Sequence, residues 1–109
     1  MKMHLDEIYF NKVKVGTKTI EVRLNDEKRR ELKVGDVIEF QNRKTKEVIN
    51  CKVKNLYVYN NFEELYKKHD KISLGYEEND IASPSDMREF YSFEDTIKNG
   101  VVAIEIEVI

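Results

Sequence analysis

The residues best suited to chemistry lie in one short run, Gly16-Thr17-Lys18-Thr19-Ile20-Glu21-Val22-Arg23. In a strand, Glu21 and Arg23 project from the same face, because side chains repeat every two residues. Lys18 has the opposite parity but stands at the strand entrance, beside Gly16, where the chain still turns. Together Lys18 and Arg23 offer a cation pair for a phosphate or a carbonyl oxygen, and a guanidinium can grip either with two parallel hydrogen bonds. Glu21 can accept from the exocyclic amine of a base, or act as a general base on water if its pKa is raised. The competing reading is a surface strand on which Lys and Arg merely pair Glu, worth about 0–1 kcal/mol.

Other side chains are weaker candidates. Lys28-Arg29-Arg30 could track a nucleic-acid backbone or simply form a solvated helix face. Tyr57, Tyr59, Phe62 and Tyr66 lie close together and could stack on a base, although core or strand packing accounts for most such aromatics. Tyr76 and Tyr91 are further aromatic candidates. Cys51, the single cysteine, cannot form an internal disulfide. Flanked by strand residues, it reads as a small core hydrophobe rather than as a nucleophile with His69 as its base. Two histidines and no Cys or His pair at ligand spacing predict no metal, and nothing points to a cofactor.

These residues need elements to position them. Asp6 to Val15 reads as a helix, capped by Asp6 and stopped by Gly16. Thr19 to Leu24 alternates, with Ile20, Val22 and Leu24 on one face, as a half-buried strand does. Residues 26–32 form a charged helical turn. Strands follow at Val37–Gln41 and Val48–Tyr59, joined by a polar hairpin loop. Asn61 and Glu64 form a capping box for a helix reaching about His69. A polar loop leads to Ser83-Pro84-Ser85-Asp86, a second helix start running to about Tyr91. Asn99-Gly100 turns the chain into a last strand, Val101–Ile109. Residues 2–5 are too short to classify. The pattern is an α+β fold with a mostly antiparallel sheet, open or closed.

The 109-residue chain is long enough for one domain, 1–109, with a modest core. Forty per cent of residues are hydrophobic and 37% charged, which excludes a disordered segment. The net charge of −2 conceals an asymmetry. Residues 1–54 hold 14 Lys or Arg against 9 Asp or Glu, and residues 55–109 hold 5 against 12. A basic half can face phosphates while an acidic half faces solvent. There is no apolar run near the length of a membrane span, and Asp6 and Glu7 interrupt any signal-peptide core. The expected location is cytoplasmic, away from membranes.

Three elements in register carry a resemblance. Gly16 to Arg23 has the form G-x-K-x-x-E-x-R. Gly35-Asp36-Val37-Ile38-Glu39-Phe40 has the form G-D-x-I-x-F. Gly100 to Ile106 closes the chain. In order and spacing they resemble the ASCH family, over essentially the whole chain. The resemblance implies a small PUA-like β-barrel with inserted helices and a cleft beside the first motif, where family members are thought to bind RNA. One branch is an amidohydrolase that removes the acetyl group of N4-acetylcytidine with a Lys, a Thr and a Glu. Lys18 occupies the Lys position, but Glu21 stands where that branch has its Thr. The Glu position is open among Glu63, Glu64 and Glu77. The expected function is therefore binding of RNA or a modified nucleoside through Lys18, Glu21 and Arg23, with Lys28, Arg29 and Arg30 as backbone contacts. Two alternatives remain. The first is a hydrolase, either an amidohydrolase or a ribonuclease, using Glu21 on water with Lys18 and Arg23 at the oxyanion. The second is a protein-interaction domain using the acidic half.

Overall fold

The computed structural model describes residues 1–109. Five strands form one sheet: β1 (Lys2–Leu5), β2 (Ile20–Leu24), β3 (Val37–Asn42), β4 (Val48–Tyr59) and β5 (Val101–Val108). Their spatial order is β1-β3-β4-β5-β2. Only β1 and β3 run parallel, and the other neighbours are antiparallel. The sheet curls into a half-barrel whose edge strands, β1 and β2, share no backbone ladder. A register shift between Val53 and Asn55 interrupts the long β4–β5 pairing, as a bulge that bends a strand does.

Four α-helices accompany the sheet: α1 (Glu7–Lys14), α2 (Phe62–Lys68), α3 (Lys71–Leu74) and α4 (Phe93–Asn99). Tighter 3-10 turns occupy Arg29–Glu31 and Pro84–Glu89. Helix α1 packs Phe10 and Val13 into the larger core, beside Met3, Leu5, Ile38, Phe40, Val53 and Ile104. Helices α2 and α3 cover the other side of the sheet, where Phe62, Leu65 and Leu74 meet Ile20, Val22, Val101 and Ala103.

That second layer corrects the half-buried reading of β2, because Ile20, Glu21, Val22 and Leu24 are all buried. Glu21 lies opposite Ile104 and Arg23 opposite Val102. Directly opposed residues share a face, so the charged pair shares the face of the larger core while the apolar residues face the helices.

Two further expectations need correction. The stretch read as a polar loop contains α3, a single turn capped by Asp70, whose carboxylate accepts from the Ile72 amide at 3.0 Å. One turn is too short to show periodicity. Helix α4 has no signature in the sequence pattern, since its Phe93 and Ile97 are exposed and draw no buried stripe. The Asn61 side chain accepts from the Glu64 amide at 2.9 Å, but Glu64 reaches back to Asn60 rather than to Asn61. Ser83 does open a capping box with Asp86, and the turns that follow are 3-10.

Candidate functional site

The gap between β1 and β2 is the mouth of a cavity of about 530 Å³. Its floor is Lys18, Glu21 and Arg23. Lys18 and Glu21 are 5% and 6% exposed. The Lys18 Nζ lies 3.3 Å from Glu21 Oε1, and Arg23 Nε donates to Glu21 Oε2 at 2.6 Å. One carboxylate thus bridges two cations. The three side chains singled out from sequence do converge.

The donors are not equally free. Lys18 Nζ also donates to the Ile20 carbonyl at 2.6 Å and the Leu74 carbonyl at 2.9 Å. With the Glu21 carboxylate beside it, the ammonium faces three protein acceptors. Arg23 Nη2 donates to the His4 carbonyl at 3.1 Å, linking the two edge strands through a side chain. Arg23 lines the cavity, and its Nη1 has no protein partner. The floor therefore presents one free guanidinium edge rather than the expected cation pair.

Gly75 positions Lys18. Its φ of +108° is a left-handed conformation, and a Cβ there would stand 3.1 Å from Lys18 Cδ and 3.2 Å from Tyr9 Cδ1. The Gly75 carbonyl also accepts from Lys12 Nζ at 2.7 Å.

Burial sets the electrostatics. It pushes the Glu21 pKa upward, but Lys18 and Arg23, with their hydrogen bonds, outweigh it and hold the carboxyl below its ordinary value. Burial pulls Lys18 below its ordinary value, with Arg23 and Lys12 acting in the same direction and Glu21 opposing. Burial also pulls Arg23 downward, but Glu21 overcomes it and leaves the guanidinium above its usual value. Glu21 is thus an ionised anchor, not a raised-pKa base.

The opposite wall is a hydroxyl relay that the sequence did not disclose as such. Tyr76 Oη donates to Asp86 Oδ2 at 2.7 Å, and Tyr66 Oη lies 2.9 Å from Tyr76 Oη. A carboxylate only accepts, so Tyr66 must donate to Tyr76. Burial, with the bonds to Tyr66 and Asp86, drives the Tyr76 pKa upward and keeps the phenol protonated. Asp86 Oδ1 has no protein partner. Tyr9, Met87, Phe90 and Tyr91 complete the wall. At the rim, Arg43 Nε pairs with Asp6 Oδ1 at 3.2 Å.

Other candidates lie elsewhere. None of Lys28, Arg29 and Arg30 lines this cavity. Arg29 pairs with Asp26 at 3.2 Å, and Arg30 donates to the Asn25 carbonyl and to Asn99 Oδ1. Glu63, Glu64 and Glu77 are also absent from the wall, and Glu77 pairs with Lys12 at 2.9 Å. The carboxylates that do line it, beside Glu21, are Asp6, Asp86 and Glu89. Cys51 is fully buried, and burial pushes its thiol up to about 11, which suppresses the thiolate. His69 Nε2 instead pairs with Tyr59 Oη at 2.8 Å. No group of three or more His, Cys, Asp or Glu is placed to hold a metal ion. No helix is long and apolar enough to cross a membrane.

A curled five-stranded half-barrel with packed helices and a charged floor beside its open edge defines a PUA-like domain. The chain belongs to the ASCH family, whose domain model matches residues 3–109. It is similar to the crystal structure of hypothetical protein PH0355, with 40% identity, a TM-score of 0.83 and coverage of 99% of this chain and 97% of that one. It is also similar to the solution structure of PF0455 from Pyrococcus furiosus, at 38% identity, a TM-score of 0.74 and coverage of 99% and 96%. The ASCH protein of Zymomonas mobilis shares the fold at 14% identity and a TM-score of 0.67, over 97% of this chain and 65% of that one. No curated protein matches the sequence.

Proposed function

We propose that the cleft binds the base of a modified nucleoside, held non-covalently between Arg23 and Asp86. The observation that carries this is the pairing of one unpartnered donor edge, Arg23 Nη1, with one unpartnered acceptor, Asp86 Oδ1, in the same cavity. A nucleobase edge offers both acceptors and exocyclic donors. The cavity volume of about 530 Å³ falls in the range of small-ligand sites. Tyr9, Phe90 and Tyr91 supply flat surfaces against which a ring can lie.

The charge balance favours a base over a phosphate inside the cleft. Its wall carries Lys18, Arg23 and Arg43 against Asp6, Glu21, Asp86 and Glu89. A polyanion entering there meets more carboxylates than cations. Hydrolysis through Glu21 is disfavoured, because a carboxylate bracketed by two cations is a weak base. The Lys18 ammonium is already held by two backbone carbonyls and the Glu21 carboxylate, which compete with any oxyanion for it.

Calorimetric titration with cytidine and N4-acetylcytidine tests the proposal. Binding is expected to be nearly independent of salt, and Asp86→Asn to weaken it by roughly tenfold, the value of one charge-assisted hydrogen bond. Release of acetate from N4-acetylcytidine, or no binding of either nucleoside, would overturn it.

A further inference from the structure

Behind the cleft lies a second cavity, of about 710 Å³, between the end of β4 and helix α4. Tyr91 lines both cavities and its ring stacks on Phe62, with centroids 6.0 Å apart and planes at 21°. One aromatic partition therefore separates the two spaces.

The second space has a different chemistry. Val58, Phe93 and Ile97 line it at 61%, 62% and 68% exposure. The Arg88 guanidinium sits 5.5 Å from the Phe93 ring centroid. Arg88 and Lys98 also line the groove, and neither has a carboxylate within ion-pair distance. Arg30 reaches the rim, where its Nη2 donates to Asn99 Oδ1 at 3.3 Å, and it too has no acidic partner. Of the basic turn, Arg30 alone touches a residue of the second cavity, through Asn99. Glu63 is the single carboxylate on the wall.

An exposed ring beside unpartnered cations is the arrangement that single-stranded nucleic acid uses, with the base on the ring and the phosphate on the cations. A buried apolar peptide anchor would find no cause for two cations on the wall and a third at the rim, none with an acidic partner. We infer that this groove receives the nucleotide adjacent to the one in the cleft, so that the ligand is a single-stranded oligonucleotide rather than a free nucleoside. The inference rests on the nucleoside reading of the cleft. The base on Phe93 and the phosphate near Arg88, Lys98 and Arg30 then add affinity that a lone nucleoside cannot reach. That added part depends on salt, whereas cleft binding does not.

The test compares N4-acetylcytidine with a tetraribonucleotide containing it, by fluorescence anisotropy and calorimetry. The oligonucleotide is expected to bind roughly tenfold or more tightly than the nucleoside, as one stacked base supplies. Its log affinity should fall with log salt at a slope of about −1.5 to −2, for two or three phosphate contacts. Phe93→Ala and Arg88→Gln, at exposed positions that the fold does not need, should each remove the gain and leave nucleoside affinity unchanged. Equal binding of nucleoside and oligonucleotide overturns the groove while the cleft stands. If the nucleoside fails to bind but the oligonucleotide binds through Phe93, the cleft reading falls and the groove survives. A gain that persists in both variants, or capture of an apolar peptide through Phe93 with no oligonucleotide binding, also overturns the groove.

Discussion

Two basic regions stand close together in the sequence and do opposite things with their charge. Lys18 and Arg23 are turned onto Glu21 inside the domain, and each also donates to backbone carbonyls, Lys18 to Ile20 and Leu74 and Arg23 to His4. Lys28 and Arg30 lie at the surface, and Arg30 spends its donors on neutral oxygens. The first region is a structural anchor that leaves one guanidinium nitrogen without a protein partner. The second is available charge. A buried ion pair costs desolvation and is strongly coupled to each partner, whereas exposed cations interact weakly with everything except a polyanion.

That contrast can be broken most sharply at Glu21. Glu21→Gln keeps the shape and leaves two buried cations facing each other. Stability measured by urea unfolding should fall by about 3–5 kcal/mol. A loss below about 1 kcal/mol would place the cluster with ordinary surface pairs. Gly75→Ala comes next, because it forces a side chain into a left-handed backbone against Lys18 and Tyr9. It should cost about 1–3 kcal/mol and weaken nucleoside binding through displacement of Lys18.

Acid provides a third probe. Glu21 has a folded pKa below its ordinary value of 4.5. Its contribution to stability is therefore full above about pH 4.5 and is lost as pH falls through the lower folded value. Melting temperatures followed from neutral to acid pH should drop along that limb, and Glu21→Gln should show a shallower drop. If the two proteins share one acid profile, the ionised anchor is disproved. Lys28→Ala and Arg30→Ala should have the smallest effects, within about 0.5 kcal/mol on stability and none on nucleoside affinity. They should weaken an oligonucleotide only in low salt.

The parts of this arrangement visible in the sequence were the local ones. The alternation of Ile20 to Leu24, the bounds of β4 from Val48 to Tyr59, and the caps at Asn61 and Ser83 depend on near neighbours, and they match the elements observed. The parity of Glu21 and Arg23 was legible for the same reason. The burial of the Glu21 face as well was not, because both layers that enclose β2 come from far along the chain, with Ile104 on one side and Phe62, Leu65 and Leu74 on the other. The relay of Tyr66, Tyr76 and Asp86 was hidden likewise. Asp86 announces itself locally only as a capping residue, and its second role exists only once the Pro84–Glu89 turn lies against the cleft. The short β1 was invisible because its parallel partner, β3, is remote and supplies the hydrogen bonds.

The order of strands in the sheet also governs when the cleft can exist during folding. Strand β2 carries Glu21 and Arg23, and its only strand neighbour is β5, with Ile20 opposite Glu105 and Leu24 opposite Val101. The hairpin of β3 and β4 closes through a short loop and can form early. The floor of the cleft must wait for a contact between distant parts of the chain, whose closure entropy is paid before any pairing rewards it. A chain in which only β3 and β4 had paired would lack Glu21 and Arg23 at their places, and with them the floor of the cleft.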